Sequence, residues 1–262
     1  MTHTRDHESF WRWLRSGYDR RTIIALGLMA VAVAVVGTVY SHLIEWDEPM
    51  DWLLVGIWAV MAALLSWRVD PVKDLPLLFV GLLGGFVIEW WGTESLLWVY
   101  YTRERPPLWI LPAWPISALA IVRIYHMIRG ALPKIERLWP AYWLVIPCFV
   151  AAMTHFLWVR IQVPASQVVV GLMVVVALVG AKPKRDLPLF LAGAALGFFL
   201  EYWGTTRFCW TYYTRAKPPI QAVFAHGFAT VAFARGVQGL FLMKRLGEGL
   251  LDRFRTSRLE AT

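Results

Sequence analysis

Two glutamates, Glu89 and Glu201, lie inside long apolar stretches of the chain, where an ionisable side chain is more often functional than incidental. A carboxylic acid held in apolar surroundings can act as a proton donor at neutral pH. His226 falls near the expected depth of Glu201, so the two form a candidate acid–base couple. We therefore take Glu89, Glu201 and His226 as candidate catalytic residues. The structural alternative is a carboxyl group that only hydrogen-bonds Tyr100 or Thr93 between helices.

Each glutamate belongs to a segment that occurs twice, at 81–107 and at 193–219, aligned without a gap at a constant offset (201 − 89 = 112). A repeat of this length indicates duplication of a whole structural unit. The two copies share rings, hydroxyls and an arginine that could bind a substrate. The candidate binding residues are Trp91, Thr93, Trp98, Tyr100, Tyr101 and Arg103 in the first copy, Trp203, Thr205, Trp210, Tyr212, Tyr213 and Arg215 in the second, and Trp114 after the first.

The repeated rings allow two interpretations. Tryptophan and tyrosine gather at membrane interfaces in aromatic belts. They can also form the wall of a pocket for a long apolar ligand, with ring faces that attract a carbocation. The recurrence of Trp98-x-Tyr100-Tyr101-Thr102-Arg103 favours the pocket. Arg103 and Arg215 either close on the glutamates or extend to the interface.

The composition is that of a membrane protein. Of 262 residues, 58% are hydrophobic and 17% charged, whereas soluble domains carry about 25% charge. The net charge of +8 is scattered over loop ends, which indicates cytoplasmic loops and attraction to anionic lipid and argues against nucleic-acid binding. The two cysteines, Cys148 and Cys209, form no disulfide framework.

We expect an all-α integral membrane protein with about eight transmembrane helices. Two parallel four-helix repeats, 22–128 and 138–243, are joined by a cytoplasmic linker at 129–137. Amphipathic segments flank them at 1–21 and 244–262. The expected spans are 22–44, 52–67, 75–92, 108–128, 138–159, 165–181, 187–204 and 220–243, each long enough to cross a bilayer core or nearly so.

The basic residues set the expected orientation. Lysine and arginine are concentrated near both termini and in alternate links, so both termini are expected in the cytoplasm and the protein in the cell (inner) membrane. Four spans per half make the two halves parallel and place both glutamates toward the outer leaflet. Counting from Leu75 puts Glu89 about 21 Å from the cytoplasmic edge.

Small residues recur on the glutamate face of the third span. Gly81, Gly85, Glu89 and Thr93 are spaced by four, and the second copy repeats this spacing. Residues four apart share one face of a helix, and small residues there let membrane helices approach closely. The glutamate is therefore expected on a packed face, away from lipid.

At the other end of the same spans, Asp74 and Arg123 are expected to form an ion pair between neighbouring helices, as are their counterparts Asp186 and Arg235. His42 and His155 fall near the expected outer ends of two spans, but the spacing of metal-binding motifs is lacking. We predict neither a metal nor another cofactor.

A stretch of about forty residues resembles a known family. Glu89-x-x-Gly92, Trp98-x-Tyr100-Tyr101-Thr102, Pro107 and Leu111-Pro112-Ala113-Trp114 are similar to a run in the membrane carotenoid-biosynthesis proteins that include carotenoid hydratases. That family has Phe-Gly before the tyrosines and Tyr-x-Tyr in place of Tyr-Tyr, and here this chain departs from it. The resemblance implies that a carboxylic acid protonates an isoprenoid double bond and that water captures the cation.

Three functions remain open at this point. The first is an enzyme that modifies a polyisoprenoid or another membrane lipid. The second is a small proton-coupled or solute transporter, because parallel repeats with buried acids are also a transporter plan. The third is a non-catalytic scaffold in the membrane. The partners expected are the bilayer and a lipid or isoprenoid ligand.

Overall fold

The computed structural model describes residues 10–39 and 49–259. Predictions for the first nine residues, for the end of the first span, for His42 and the acidic link at 45–48, and for the last three residues lie outside the described part.

The described chain is mainly helical. Its helices are α1 (Arg20–Val39), α2 (Pro49–Ser66), α3 (Pro71–Glu94), α4 (Ala113–Ala131), α5 (Tyr142–Leu157), α6 (Pro164–Leu178), α7 (Pro183–Thr206) and α8 (Ile220–Leu259), with two short strands, β1 (Trp98–Tyr100) and β2 (Trp210–Tyr212). Among the described residues, five helical stretches are long and apolar enough to cross a membrane: Pro71–Glu94, Leu108–Ala131, Ile135–Arg160, Pro183–Thr206 and Ile220–Glu248. A shorter apolar helix, Pro164–Leu178, accompanies them. The protein is therefore built as an all-α membrane protein with one small sheet.

The start of α3 corrects the expected boundary at Leu75. The proline in the first turn is Pro71, and Pro76 lies inside the helix. The helix begins earlier because Asp74 closes its first turn, accepting the backbone N–H of Asp70 at 2.9 Å. Counted from Pro71, Glu89 lies about 27 Å along the helix, farther from the helix start than the roughly 21 Å expected, and five residues before the helix end at Glu94.

Two other helix ends differ from the expected segment boundaries. The span at 220–243 and the tail at 244–262 form one continuous helix, α8, as far as Leu259. The linker at 129–137 is shorter than expected, because α4 continues to Ala131 and a 3-10 helix begins at Ile135.

Contacts along α8 fix the direction of α3. A Cβ at Gly84 would meet the ring of Phe233, and one at Gly236 would meet Val80. Higher numbers on α8 thus lie beside lower numbers on α3, so the two helices are antiparallel.

The same reasoning fixes α7. Gly197 lies against His226 near the start of α8, whereas Asp186 pairs with Arg235 further along it at 2.8 Å. Since α7 is also antiparallel to α8, α3 and α7 run in the same direction. They carry their glutamates toward the same end of the molecule.

At that end β1 and β2 pair antiparallel, with Val99 opposite Thr211, its own counterpart in the repeat (211 − 99 = 112). Two strands paired through equivalent residues are related by a local two-fold axis. The sequence predicts only a link in both places. The sheet instead ties one copy of the segment to the other.

At the opposite end of the molecule, near the starts of α3 and α7, the predicted ion pairs join neighbouring helices. Arg123 donates to Asp74 at 2.6 Å and Arg235 donates to Asp186 at 2.8 Å. Both predictions are confirmed. The N-terminal segment covers this end of the first half, where Arg68 lies over the rings of Trp13 and Trp67.

Candidate functional site

Glu89 is a buried acceptor surrounded by donors. It is 3% exposed. Its carboxyl oxygens accept hydrogen bonds from Trp98 Nε1 at 3.1 Å, from Tyr100 Oη at 2.9 Å and from Trp114 Nε1 at 3.0 Å. The group that membrane burial would otherwise leave unsatisfied thus has a partner from β1 and from α4.

Glu201 repeats this arrangement with one change. It is 5% exposed. Trp210 Nε1 donates to it at 3.0 Å and Tyr212 Oη at 2.9 Å. Its third partner is His226, whose Nε2 lies 3.0 Å from Oε1. The contact expected between Glu201 and His226 is therefore present.

The spacing of the motif explains how it folds. Trp98 and Tyr100 are two apart on a strand, so both side chains point to the same face. The chain turns back directly after α3, which brings that face over the last turns of the helix. Gly92 makes this possible, because a Cβ there would overlap the Trp98 ring, and Gly204 does the same for Trp210. In the Glu-x-x-Gly motif, the glutamate thus supplies the carboxylate, and the glycine leaves the space in which the indole packs against the helix.

Other glycines on the small-residue face of α3 and α7 make room for the third hydrogen-bond partner of each glutamate, Trp114 or His226. Gly85 lies under Trp114, and Gly197 lies under His226. The small-residue face therefore packs against α4 in the first copy and against α8 in the second. Thr93 and Thr205 lie on it but donate to the backbone carbonyls of Glu89 and Glu201, at 2.6 Å each, and not to the carboxylates.

The two sites touch each other. The ring centroids of Trp98 and Tyr212 are 5.8 Å apart, as are those of Tyr100 and Trp210. The His226 imidazole stacks on the Trp114 indole with centroids 5.7 Å apart and planes 13° apart. Each ring that donates to one carboxylate therefore packs against a ring that contacts the other carboxylate.

The position shared by Trp114 and His226 is where the two sites differ chemically. An indole N–H can only donate a hydrogen bond, whereas an imidazole nitrogen can donate or accept a proton. Burial raises the pKa of Tyr100 and of Tyr212 above its ordinary value, with the nearby glutamate carboxyl acting in the same direction. Both phenols therefore keep their protons at neutral pH. Among the described partners of the two carboxylates, His226 is the one with an imidazole, whose neutral form has one protonated and one unprotonated ring nitrogen.

Several candidate binding residues do not reach the carboxylates. Trp91 donates to Ser166 Oγ at 3.1 Å, while its counterpart Trp203 has a buried Nε1 without a partner among the described residues. Tyr213 donates to the carbonyl of Phe156 at 2.6 Å, and Tyr101 is 70% exposed.

The arginines behave differently from one expected alternative. Arg103 and Arg215 are exposed and occupy the left-handed region, at φ 61° and 58°. Within residues 10–39 and 49–259 neither donates to a glutamate of the repeated motif. The alternative in which they close on Glu89 and Glu201 is not seen, and both side chains remain exposed.

Ser166 was missed from the sequence. It is fully buried on α6 and holds the indole of Trp91, a residue of the other half. A polar residue near the start of a strongly apolar helix was the available signal. The described residues also contain no group of three or more His, Cys, Asp or Glu side chains that could hold a metal ion.

The fold and the site together define a class: a helical membrane protein with a duplicated, buried carboxylate in an aromatic cage. Comparison with known protein families, with characterised proteins and with solved structures found no match to this chain.

Proposed function

We propose that this protein is an integral membrane enzyme that performs acid–base chemistry on a polyisoprenoid or a similar apolar lipid, with Glu201 and His226 as the reacting groups. The single observation that carries the proposal is the 3.0 Å contact between His226 Nε2 and Glu201 Oε1. It occurs in a site that otherwise repeats the donor set around Glu89.

The first site serves as the structural counterpart. Its three donors are two indoles and a phenol, and none of them can take up a proton at neutral pH. Glu89 therefore locks α3 to β1 and α4. In the second site His226 replaces one indole, which gives that carboxylate a partner for proton transfer.

The proposed reaction is addition of water across a carbon–carbon double bond. A proton moves from the Glu201–His226 couple to one carbon of the alkene, which leaves a carbocation on the other carbon. The ring of Trp210, which lines the neighbouring cavity and donates to Glu201, is suited to stabilise that charge. Water then attacks the cation and returns one proton to the couple, so that no oxidant or cofactor is required. The resemblance to carotenoid hydratases agrees with this chemistry.

The proposal includes two parallel four-helix repeats with both termini in the cytoplasm, in the cell membrane. The equivalent hydrogen bonds at Glu89 and Glu201, the shared direction of α3 and α7 and the two-fold pairing of β1 with β2 support it. The distribution of basic residues supports the orientation.

The test compares lipid and pigment extracts from cells that carry the gene, lack it, or carry Glu201→Gln or His226→Trp. The second variant gives the second site the same donor set as the first, and Gly197 leaves the space that Gly85 provides for Trp114. We expect both variants to lose product at least about 100-fold, as loss of a general acid–base group does. The double variant should lose no more than either single one, because the pair acts as a unit.

Glu248→Gln is the matched control, since Glu248 is exposed on α8 and pairs only with Lys244 among the described residues. Extracts that do not change between cells with and without the gene would refute the proposal. So would full activity in His226→Trp.

A non-catalytic scaffold is the second candidate, and the saturation of Glu89 favours it. A scaffold retains its function when both glutamates become glutamine, provided that the protein still folds.

A further inference from the structure

The two copies of the aromatic segment differ strongly in charge. Residues 93–107 contain two acids, Glu94 and Glu104, and two arginines, so their charges cancel. Residues 205–219 contain three basic residues and no acid. The two segments share the tryptophan and the two tyrosines, and their turns have matching backbone angles. The two segments therefore differ in the charge of their side chains while their backbones follow similar turns.

A cavity of about 370 Å³ lies in the second copy, within the range of small-molecule sites. Two basic residues, Arg215 and Lys217, and two aromatic residues, Trp210 and Phe208, are among those that line it. The indole of Trp210 also donates to Glu201 at 3.0 Å. The cavity thus extends from the basic turn to a ring of the candidate site.

Two positions distinguish the second copy in a way that favours a negative ligand. Phe208, where the first copy has Leu96, holds the Lys217 ammonium 3.8 Å from its ring centroid. Ala216 stands where the first copy has Glu104, so the carboxylate that would repel an anion is absent.

We infer that this cavity binds the phosphate group of an amphiphile, with the phosphate on Arg215 and Lys217 and the first carbons of the chain against Trp210 and Phe208. Arginine and lysine are the usual partners of phosphate, and charge-assisted hydrogen bonds to it are strong. The apolar walls favour a phosphate attached to a chain over the free ion. The inference is independent of any reaction at Glu201.

The experiment titrates the purified full-length protein in a neutral maltoside detergent. Dodecyl phosphate and sodium phosphate are the two probes, and calorimetry measures their binding at low and at high salt. We expect one molecule of dodecyl phosphate per chain, with affinity that falls as salt rises. Equal affinity for sodium phosphate would also support a phosphate site, but would assign it to the free anion.

Ala216→Glu is the decisive variant, because it gives the second turn the acid of the first. The backbone accepts it, since Glu104 occupies the equivalent turn and Arg103 has nearly the φ of Arg215. We expect binding about tenfold weaker, from the repulsion of like charges. Ala216→Gln adds the same bulk without charge and should weaken binding less.

Glu104→Gln is the control, since it changes charge in the first copy and should leave affinity unchanged. The inference is overturned if Ala216→Glu binds dodecyl phosphate as tightly as the wild type does. It is also overturned if Ala216→Glu and Ala216→Gln lose the same affinity. None of these measurements needs turnover, so failure of the acid–base proposal leaves them interpretable.

Discussion

At the scale of single residues, each buried carboxylate is an acceptor surrounded by hydrogen-bond donors. An ionised carboxyl group only accepts hydrogen bonds, and its two oxygens have room for about four. Around Glu89 three donors converge, two from one side of the strand and one from α4. Such a group connects three elements through one side chain.

Glu89→Gln should therefore destabilise the protein. The two indoles donate to different oxygens of Glu89, so the amide nitrogen of a glutamine would face one indole N–H, donor against donor. We expect a loss of about 1–3 kcal/mol in the free energy of unfolding, the cost of leaving a buried polar group unpaired. Thermal unfolding in detergent measures it. Glu104→Gln, at an exposed position, should show no change, and a wild-type transition in Glu89→Gln would contradict the role assigned to Glu89.

The roles of these residues could be read from the sequence to different extents. The repeat preserves Trp98 and Tyr100 at fixed distances from the glutamate, and Tyr100, but not Trp98, was among the hydrogen-bond partners expected for it. One expected alternative had Arg103 close on Glu89, and this is not seen. The direction of Arg103 depends on a left-handed backbone conformation that the residue type does not reveal. The partner of Trp91 could not be predicted, since Ser166 lies 75 residues away on another helix.

At the scale of elements, the repeated unit is a helix followed by a short strand that folds back over the end of that helix. The last turns of α3 carry the carboxylate, and β1 brings an indole and a phenol back over them. Glycine at the fourth position of the Glu-x-x-Gly motif leaves room for the indole against the helix. The same unit is built a second time from α7 and β2.

Gly92→Ala tests this unit. Alanine normally stabilises a helix relative to glycine by about 0.5–1 kcal/mol. Here its Cβ would overlap the Trp98 ring, so we expect a net loss of about 1–3 kcal/mol, as in other overpacked sites. Gly171→Ala is the matched control, because nothing lies within 4 Å of a Cβ there. If both substitutions stabilise the protein equally, the indole does not rest on Gly92.

At the scale of the whole molecule, the halves are joined by more than the linker between α4 and α5. The largest apolar cluster contains Trp91 and Trp98 of the first half together with Phe156 and Tyr212 of the second. Because α3 is parallel to α7, the turn after β1 and the basic turn after β2 face the same side of the membrane. This arrangement determines which compartment a ligand of the basic turn comes from.

Cysteine labelling checks that arrangement. In a chain whose Cys148 and Cys209 are serine, single cysteines replace Glu104, Lys217 or Lys134. We expect a membrane-impermeant maleimide to label the first two from outside intact cells, because both turns lie beyond the same helix ends. The Lys134 position should react only after the cells are opened. Labelling of Glu104 and Lys217 positions from opposite sides would contradict parallel halves.

The sequence alone determined that the protein is helical and membrane-embedded, that its glutamate motif is duplicated and that each glutamate lies on a small-residue face. These properties depend on composition, on a fixed offset and on helical spacing, all of which are local. Only the tertiary structure decided that the two aromatic segments pair as strands, that His226 contacts Glu201 while stacking on Trp114, and that a basic cavity opens beside Trp210. Such contacts join residues that are far apart in the chain, and their geometry follows from how the helices pack.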